Sequence, residues 1–357
     1  MFSIDVLEVT KYDLTKNNPS KLVEYLWSDI SGTSMLFTLE KLTISITLTT
    51  TFEDVAPTLY IGLDNIYSKL LEMMIDRSKG NFRLVSNSNL VFKDFSFSSK
   101  IGEIGQGLTK IFVQEILEVP ICLNFEDYAM RRGLNISKNM SKSDFIYIDI
   151  VRRQRGLIDS KGSFFHSHNE NTNDLKGVTG KLKKGLSQCD AINGHLNSLS
   201  RKITIHKHGC SCIKFHDSDS KHNTKIIYVD PELEAEKISD EELLEDIKIY
   251  YSNLIYKITG EEFSFNEENM QSKCTIQNYS GYEIVTFKNL NNLTLQLLNN
   301  LAHRTNTKFG ILLDIWKSLF NNDLNTLLKY IPLNEKKTEY NNDFEIFSDG
   351  SVLVYNR

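Results

Sequence analysis

Three ionisable residues in the stretch SDFIYIDIVRRQRGLIDSKG, residues 143–162, have types and spacing suited to chemistry: Asp144, Asp159 and Lys161. The stretch reads as two consecutive strands. Side chains alternate faces along a strand, so Leu157, Asp159 and Lys161 share one face while Ile158 and Ser160 share the other. Asp144 shares a face with Ile146, Ile148 and Ile150. If the strands form a hairpin turning at Arg152-Arg153, Asp144 stands opposite Lys161 and diagonal to Asp159. Asp149 then falls opposite Gly156, near the turn, which selects Asp144 as the partner acid. Two carboxylates so placed can share Mg²⁺ or Mn²⁺, hard cations that prefer oxygen ligands and keep several waters. Such an ion acidifies a bound water and stabilises charge developing on a phosphoryl group. A compact ammonium beside it suits orientation of the attacking water or the phosphate.

Acid-x-Lys alone carries little information. The chain also contains Asp174-Leu175-Lys176, Asp219-Ser220-Lys221, Asp246-Ile247-Lys248 and Glu335-Lys336-Lys337. Asp246 falls in a predicted helix, where residues two apart do not face each other. The others lie in polar loops with no acid-bearing strand before them. Asp159 alone combines a strand, an upstream acid and a following basic helix.

Charge points to the same place. The net charge of −5 argues against a wholesale basic nucleic-acid binder, but residues 138–208 hold 13 Lys+Arg against 6 Asp+Glu. Such a patch can neutralise phosphates. Arg152, Arg153 and Arg155 at the hairpin turn, and Lys181, Lys183 and Lys184 on the following helix, are the candidate contacts to nucleic acid.

The elements that position these groups follow from periodicity. IGEIGQGLTKIFVQEIL places Ile101, Ile104, Leu108, Ile111 and Phe112 on one helical stripe. A short helix is expected over Glu126 to Arg132, then the two strands, then a polar loop holding His166 and His168. Leu182, Leu186, Cys189, Ile192, Leu196 and Leu199 predict an amphipathic helix from about Lys181 to Leu199. KITIHKHGCSCIKFHD and TKIIYVDPE read as two further strands. The result is a mixed sheet flanked by helices. His206, His208, Cys210, Cys212 and His216 alternate along the first of these strands; a zinc site is the weaker reading of that row, because no second cluster accompanies it.

The stretch from about Gly102 to Pro231 resembles the restriction-endonuclease-like, or PD-(D/E)xK, nuclease superfamily. Asp144 matches the first acid, Asp159 the second and Lys161 the lysine; Ser143 stands where that family often has proline. The resemblance implies that Glu103, on the preceding helix, is a further metal ligand, and that Gln188, Lys181 or Lys184 contributes from the following helix. It implies a metal-dependent nuclease acting on DNA ahead of RNA, in the manner of a restriction or anti-phage defence enzyme, alone, as a homo-oligomer or with a partner protein. A non-cleaving binding subunit that keeps the fold is the alternative.

The expected fold class is α+β in three parts: an N-terminal α+β region over 1–97, the nuclease-like domain over 98–232, and a mainly helical region over 233–357 ending in a hairpin at Asp349-Gly350. In the first part, LFTLEKLTISITLTTTF has a strand-like β-branched texture, FRLVSNSNLVFKDFSF reads as a strand pair, and Leu63 to Asp76 reads as a helix. In the last part, Ser239 with Glu242 forms a capping box before a helix. No apolar run reaches the roughly 18 residues that span a bilayer. Five cysteines and a start without a signal-like segment suit a reducing cytosol.

Overall fold

The computed structural model describes residues 1–9, 33–49, 68–78, 80–86, 95–136, 142–164, 177–199, 202–230, 236–300, 307–331 and 343–355. The strands are β1 (Phe2–Glu8), β2 (Ser34–Phe37), β3 (Ile75–Asp76), β4 (Gly80–Asn81), β5 (Arg83–Leu84), β6 (Ile121–Asn124), β7 (Phe145–Asp149), β8 (Gln154–Phe164), β9 (Lys207–Phe215) and β10 (Lys225–Val229). They continue with β11 (Cys274–Tyr279), β12 (Tyr282–Phe287), β13 (Thr307–Leu312), β14 (Phe344–Ile346) and β15 (Ser351–Tyr355). The helices are α1 (Leu39–Thr49), α2 (Phe95–Glu115), α3 (Phe125–Arg131), α4 (Thr179–Ser198), α5 (Asp240–Thr259), α6 (Glu267–Lys273), α7 (Asn292–Asn300), α8 (Leu313–Asn321) and α9 (Leu324–Tyr330). A helical segment also covers 68–74.

The fold is α+β, built on a mixed eight-stranded sheet ordered β2-β1-β10-β9-β8-β7-β6, with β4 beside β1. The β1–β10 and β8–β9 pairs are parallel, and β7–β8 is the antiparallel hairpin expected from the sequence. The predicted stripe on α2 (Ile101, Ile104, Leu108, Ile111, Phe112) packs on one face, against Phe145, Tyr147, Ile158, Ile213 and Ile226. On the other face Cys189 and Ile192 of α4 share a core with Ile146 and Leu157, and with Leu243 and Ile247 of α5. All five cysteines are buried free thiols. No helix among the described residues is long and apolar enough to cross a membrane.

Three expectations are corrected. The β-branched segment after Phe37 is the helix α1, not a strand. It is buried along almost its whole length, between α2, α5 and α7, so it lacks the polar face that marks a surface helix. Its threonines return their hydroxyls to the backbone turn before them, Thr43 to Leu39 O (2.8 Å) and Thr47 to Thr43 O (3.0 Å), which satisfies polar groups that burial would orphan. Second, the C-terminal region is not only helices and a terminal hairpin: it also holds a sheet. Its helices surround an antiparallel sheet ordered β11-β12-β13-β15-β14. The expected hairpin is present as β14–β15, and Ser239 caps α5 by accepting from Glu242 N at 3.3 Å. Third, the main sheet crosses the boundary expected near residue 97. β1 pairs along β10, and α2 begins at Phe95. The helix expected over Leu63 to Asp76 is described only as 68–74 followed by β3; its first residues lie outside the described ones, as do those joining Ser86 to Phe95.

Candidate metal centre

Small residues let two helices close on the strand that carries Asp159. A Cβ on Gly162 would stand 2.7 Å from Ile101 Cγ2 and 2.9 Å from Ile101 O, so α2 approaches β8 where there is no side chain. One turn on, Gly105 faces Gly162, and Thr109 donates to Ser160 Oγ (2.9 Å) while its hydroxyl also pairs with Ser211 (2.6 Å). On the opposite face a Cβ on Gly185 of α4 would stand 2.7 Å from Asp159 Oδ2 and 2.3 Å from Cys210 Sγ. The strand parity holds: Ser160 faces α2, and Asp159 faces α4.

The hairpin register differs by two residues from the expected one. Phe145 pairs with Ile158 and Tyr147 with Gly156, so continuation puts Asp144 level with Asp159 rather than with Lys161. A two-residue shift keeps every side chain on its predicted face. Asp144 lies one residue before β7 begins. Its Oδ2 accepts from Ser160 N at 2.7 Å and its Oδ1 from Gln106 Nε2 at 2.9 Å. The Asp144 and Asp159 carboxylates are close enough for each to influence the protonation of the other. Asp159 is fully buried, and its Oδ1 makes no hydrogen bond. The Lys161 ammonium, partly exposed, ion-pairs with its Oδ2.

Electrostatics follow this geometry. Burial, then the charge of Asp144, pushes Asp159 up to about 7, against the pull of Lys161. Burial also raises Asp144, opposed by Lys161 and by its two donors. Burial disfavours the charge on Lys161, but the two carboxylates outweigh it and hold the ammonium protonated. Two close carboxylates beside one lysine form an acceptor-rich pair. A divalent cation would relieve the repulsion between them. The donor set of two carboxylates fits Mg²⁺ or Mn²⁺, hard cations that take oxygen ligands.

Helix α4 braces both shoulders of this pair. Lys181 Nζ donates to Gly162 O (2.6 Å), just past Lys161, and Gln188 Nε2 donates to Lys142 O (2.7 Å), just before Asp144. Gln188 and Lys181 thus hold backbone. Lys184 is exposed and Lys183 partly so, on the outer surface of α4.

Other expectations fail or move. Glu103 does not join the pair: its carboxylate is bound by Lys100 (2.9 Å) within α2. Gln106, one turn later on the same helix, reaches Asp144 instead. Arg155 is no nucleic-acid contact; it is fully buried, with Nε 2.6 Å from Asp246 Oδ2. Arg152 and Arg153 sit at the far end of the hairpin, paired with Asp149 (2.9 Å) and Asp240 (2.7 Å). Asp149 itself accepts from Val151 N and Arg152 N, the work of a turn residue. Among the described residues no three His, Cys, Asp or Glu side chains form a metal-holding group. The zinc reading loses its ligands, since His206 is held by Arg155 N and Glu236 O, His208 by Asp190 and His216 by Ser220. His166 and His168 lie outside the described residues.

Sequence reasoning missed Gln106, Ser160 and Gly185. The available signal was Gly105 in α2 and Gly185 in α4, which mark close helix–sheet approach, while Gly107 serves the contact of α2 with α1. No protein-family model, curated protein or solved structure matches the chain.

Proposed function

We propose that the protein is a metal-dependent nuclease of the restriction-endonuclease-like, PD-(D/E)xK type that hydrolyses phosphodiester bonds, with DNA ahead of RNA as substrate. The observation that carries this reading is the meeting of Asp144 and Asp159, with Asp159 Oδ1 making no hydrogen bond and the Lys161 ammonium paired to Oδ2 at the rim. A mixed sheet between α2 and α4 supports the same core. Asp144 and Asp159 would hold Mg²⁺ or Mn²⁺, which when bound supplies an acidified water and charge stabilisation. Lys161 stays protonated and stands where it can orient a scissile phosphate. Lys183 and Lys184 supply solvent-facing charge for the nucleic-acid backbone. A role in restriction or anti-phage defence, and assembly with itself or a partner protein, rest on the family resemblance alone.

The test is incubation of the purified chain with DNA and with RNA, in Mg²⁺ or in EDTA, beside Lys161→Ala. Metal-dependent cutting that falls at least about 10³-fold in the variant, a barrier change of roughly 4 kcal/mol, is the expected result. Absence of metal-dependent cutting on every substrate would overturn it. One observation favours a second reading, a non-cleaving nucleic-acid- or protein-binding subunit: the helix acid Glu103 is committed to Lys100. Salt-sensitive binding that Lys161→Ala leaves unchanged would support that reading.

A further inference from the structure

We infer that Gln106 is the positioning residue of the metal centre, fixing the Asp144 carboxylate for its ion; this rests on the metal-centre reading above. Asp144 stands at the start of the β7 edge, its backbone held by Phe125 N on its carbonyl (2.9 Å), whereas Asp159 lies inside β8 between β7 and β9. That backbone bond does not orient its carboxylate. Its rotamer is set instead by two donors, Ser160 N on Oδ2 (2.7 Å) and Gln106 Nε2 on Oδ1 (2.9 Å). Each carboxylate oxygen has two lone-pair directions, so one donor on each leaves the other direction open.

The chemistry of the donor matters. A lysine or arginine at 106 would neutralise Asp144 and repel a cation, and an acid would add repulsion to a pair already crowded with negative charge. A neutral amide orients the carboxylate and does neither. The helix behind it is rigid where this counts. Gly105 packs on Gly162, and Thr109 is tied to Ser160 and Ser211. The amide therefore reaches Asp144 from a fixed element, the condition for a preorganised site. Glu103, three residues earlier, is turned to Lys100, so the described contribution of α2 to this pair is an orienting group rather than a ligand.

The experiment uses the full chain and Mn²⁺ alone, with binding followed by calorimetry for the wild type, Gln106→Met, Gln106→Ala and Asp159→Asn. Met keeps the length of the side chain without the donor. Ala is the strongest helix former and guards against a variant that fails to fold. The expected result is binding abolished in Asp159→Asn and weakened about 10–100-fold in both Gln106 variants, the size of an outer-shell loss. Melting temperature in EDTA should stay at the wild-type value. If cleavage is present, the Mn²⁺ concentration for half-maximal rate should rise while the rate at saturating Mn²⁺ returns towards wild type, a split that mere structural damage would not give. Wild-type Mn²⁺ affinity in both Gln106 variants, alongside loss in Asp159→Asn, would overturn the role of Gln106 and leave the centre standing. No Mn²⁺ binding by the wild type would remove the centre and Gln106 with it.

Discussion

Arg155 and Asp159 are both fully buried on β8, and each belongs to its own cluster of charges. Around Arg155 the buried acid Asp246 accepts from Arg155 Nε (2.6 Å), Arg132 Nη1 (3.1 Å) and Tyr128 Oη (2.9 Å), and Glu242 and Glu245 add ion pairs at the edge, 3.7 Å from Arg155 Nη2 and 2.8 Å from Arg132 Nη1. The atoms without a hydrogen bond there are donors: Arg132 Nε and Nη2 and both terminal nitrogens of Arg155. Around Asp159 the imbalance is reversed. Two carboxylates face one partly exposed lysine, and the atom left without a partner, Asp159 Oδ1, is an acceptor. The first cluster is a strut that ties β8 and α3 to α5. The second has acceptor capacity to spare, which the proposed cation would complete. Burial alone does not distinguish them; the sign of the unsatisfied atoms does.

Mutating the acid of each cluster breaks the comparison most sharply. Asp246→Ala removes the buried acid that two guanidinium groups share and should cost about 3–5 kcal/mol of stability, read by urea denaturation. A loss below about 1 kcal/mol would mean that the strut is not one. Gly185→Ala should come next. The added methyl overlaps Asp159 Oδ2 and Cys210 Sγ, so a stability loss of roughly 1–3 kcal/mol is expected, together with weaker Mn²⁺ binding. Asp159→Asn should give the opposite sign. With its acid raised to about 7 in the folded chain and near 4 in the unfolded one, the folded state binds more protons between about pH 4 and 7. Stability of the metal-free protein therefore falls as pH rises through that window. Asn removes this descent and should stabilise the chain in EDTA at pH 7, with the gain vanishing towards pH 4. A destabilised Asp159→Asn would place Asp159 among struts.

What was legible in the sequence was what a period encodes. The alternation in GLIDSKG put Asp159 and Lys161 on one face, and the stripes on α2 and α4 found the two helices that sandwich them. The hairpin register was not legible, because a two-residue slip preserves every face; only the turn, with Arg153 at φ +56°, fixes it. Helix α1 was hidden because complete burial erases the amphipathic signal. The C-terminal sheet was hidden among helical stripes, although Ser280-Gly281, both at positive φ, marks the β11–β12 turn. Gln106 gave no period at all. Its role arises from a contact between residues 38 positions apart, which no local pattern reports.

The pairing of β1 with β10 has a consequence for the order in which the chain is built. Residues 2–8 enter the main sheet only beside residues 225–229, so the first strand emerges from the ribosome and waits while some two hundred residues are added. Through that interval Phe2, Ile4 and Val6, all buried in the finished sheet, lack their β10 partner. Long-range parallel pairing of this kind slows folding and exposes apolar strand edges to association. Bacterial expression yield should therefore respond to elongation rate and temperature more than to substitutions at the acid pair.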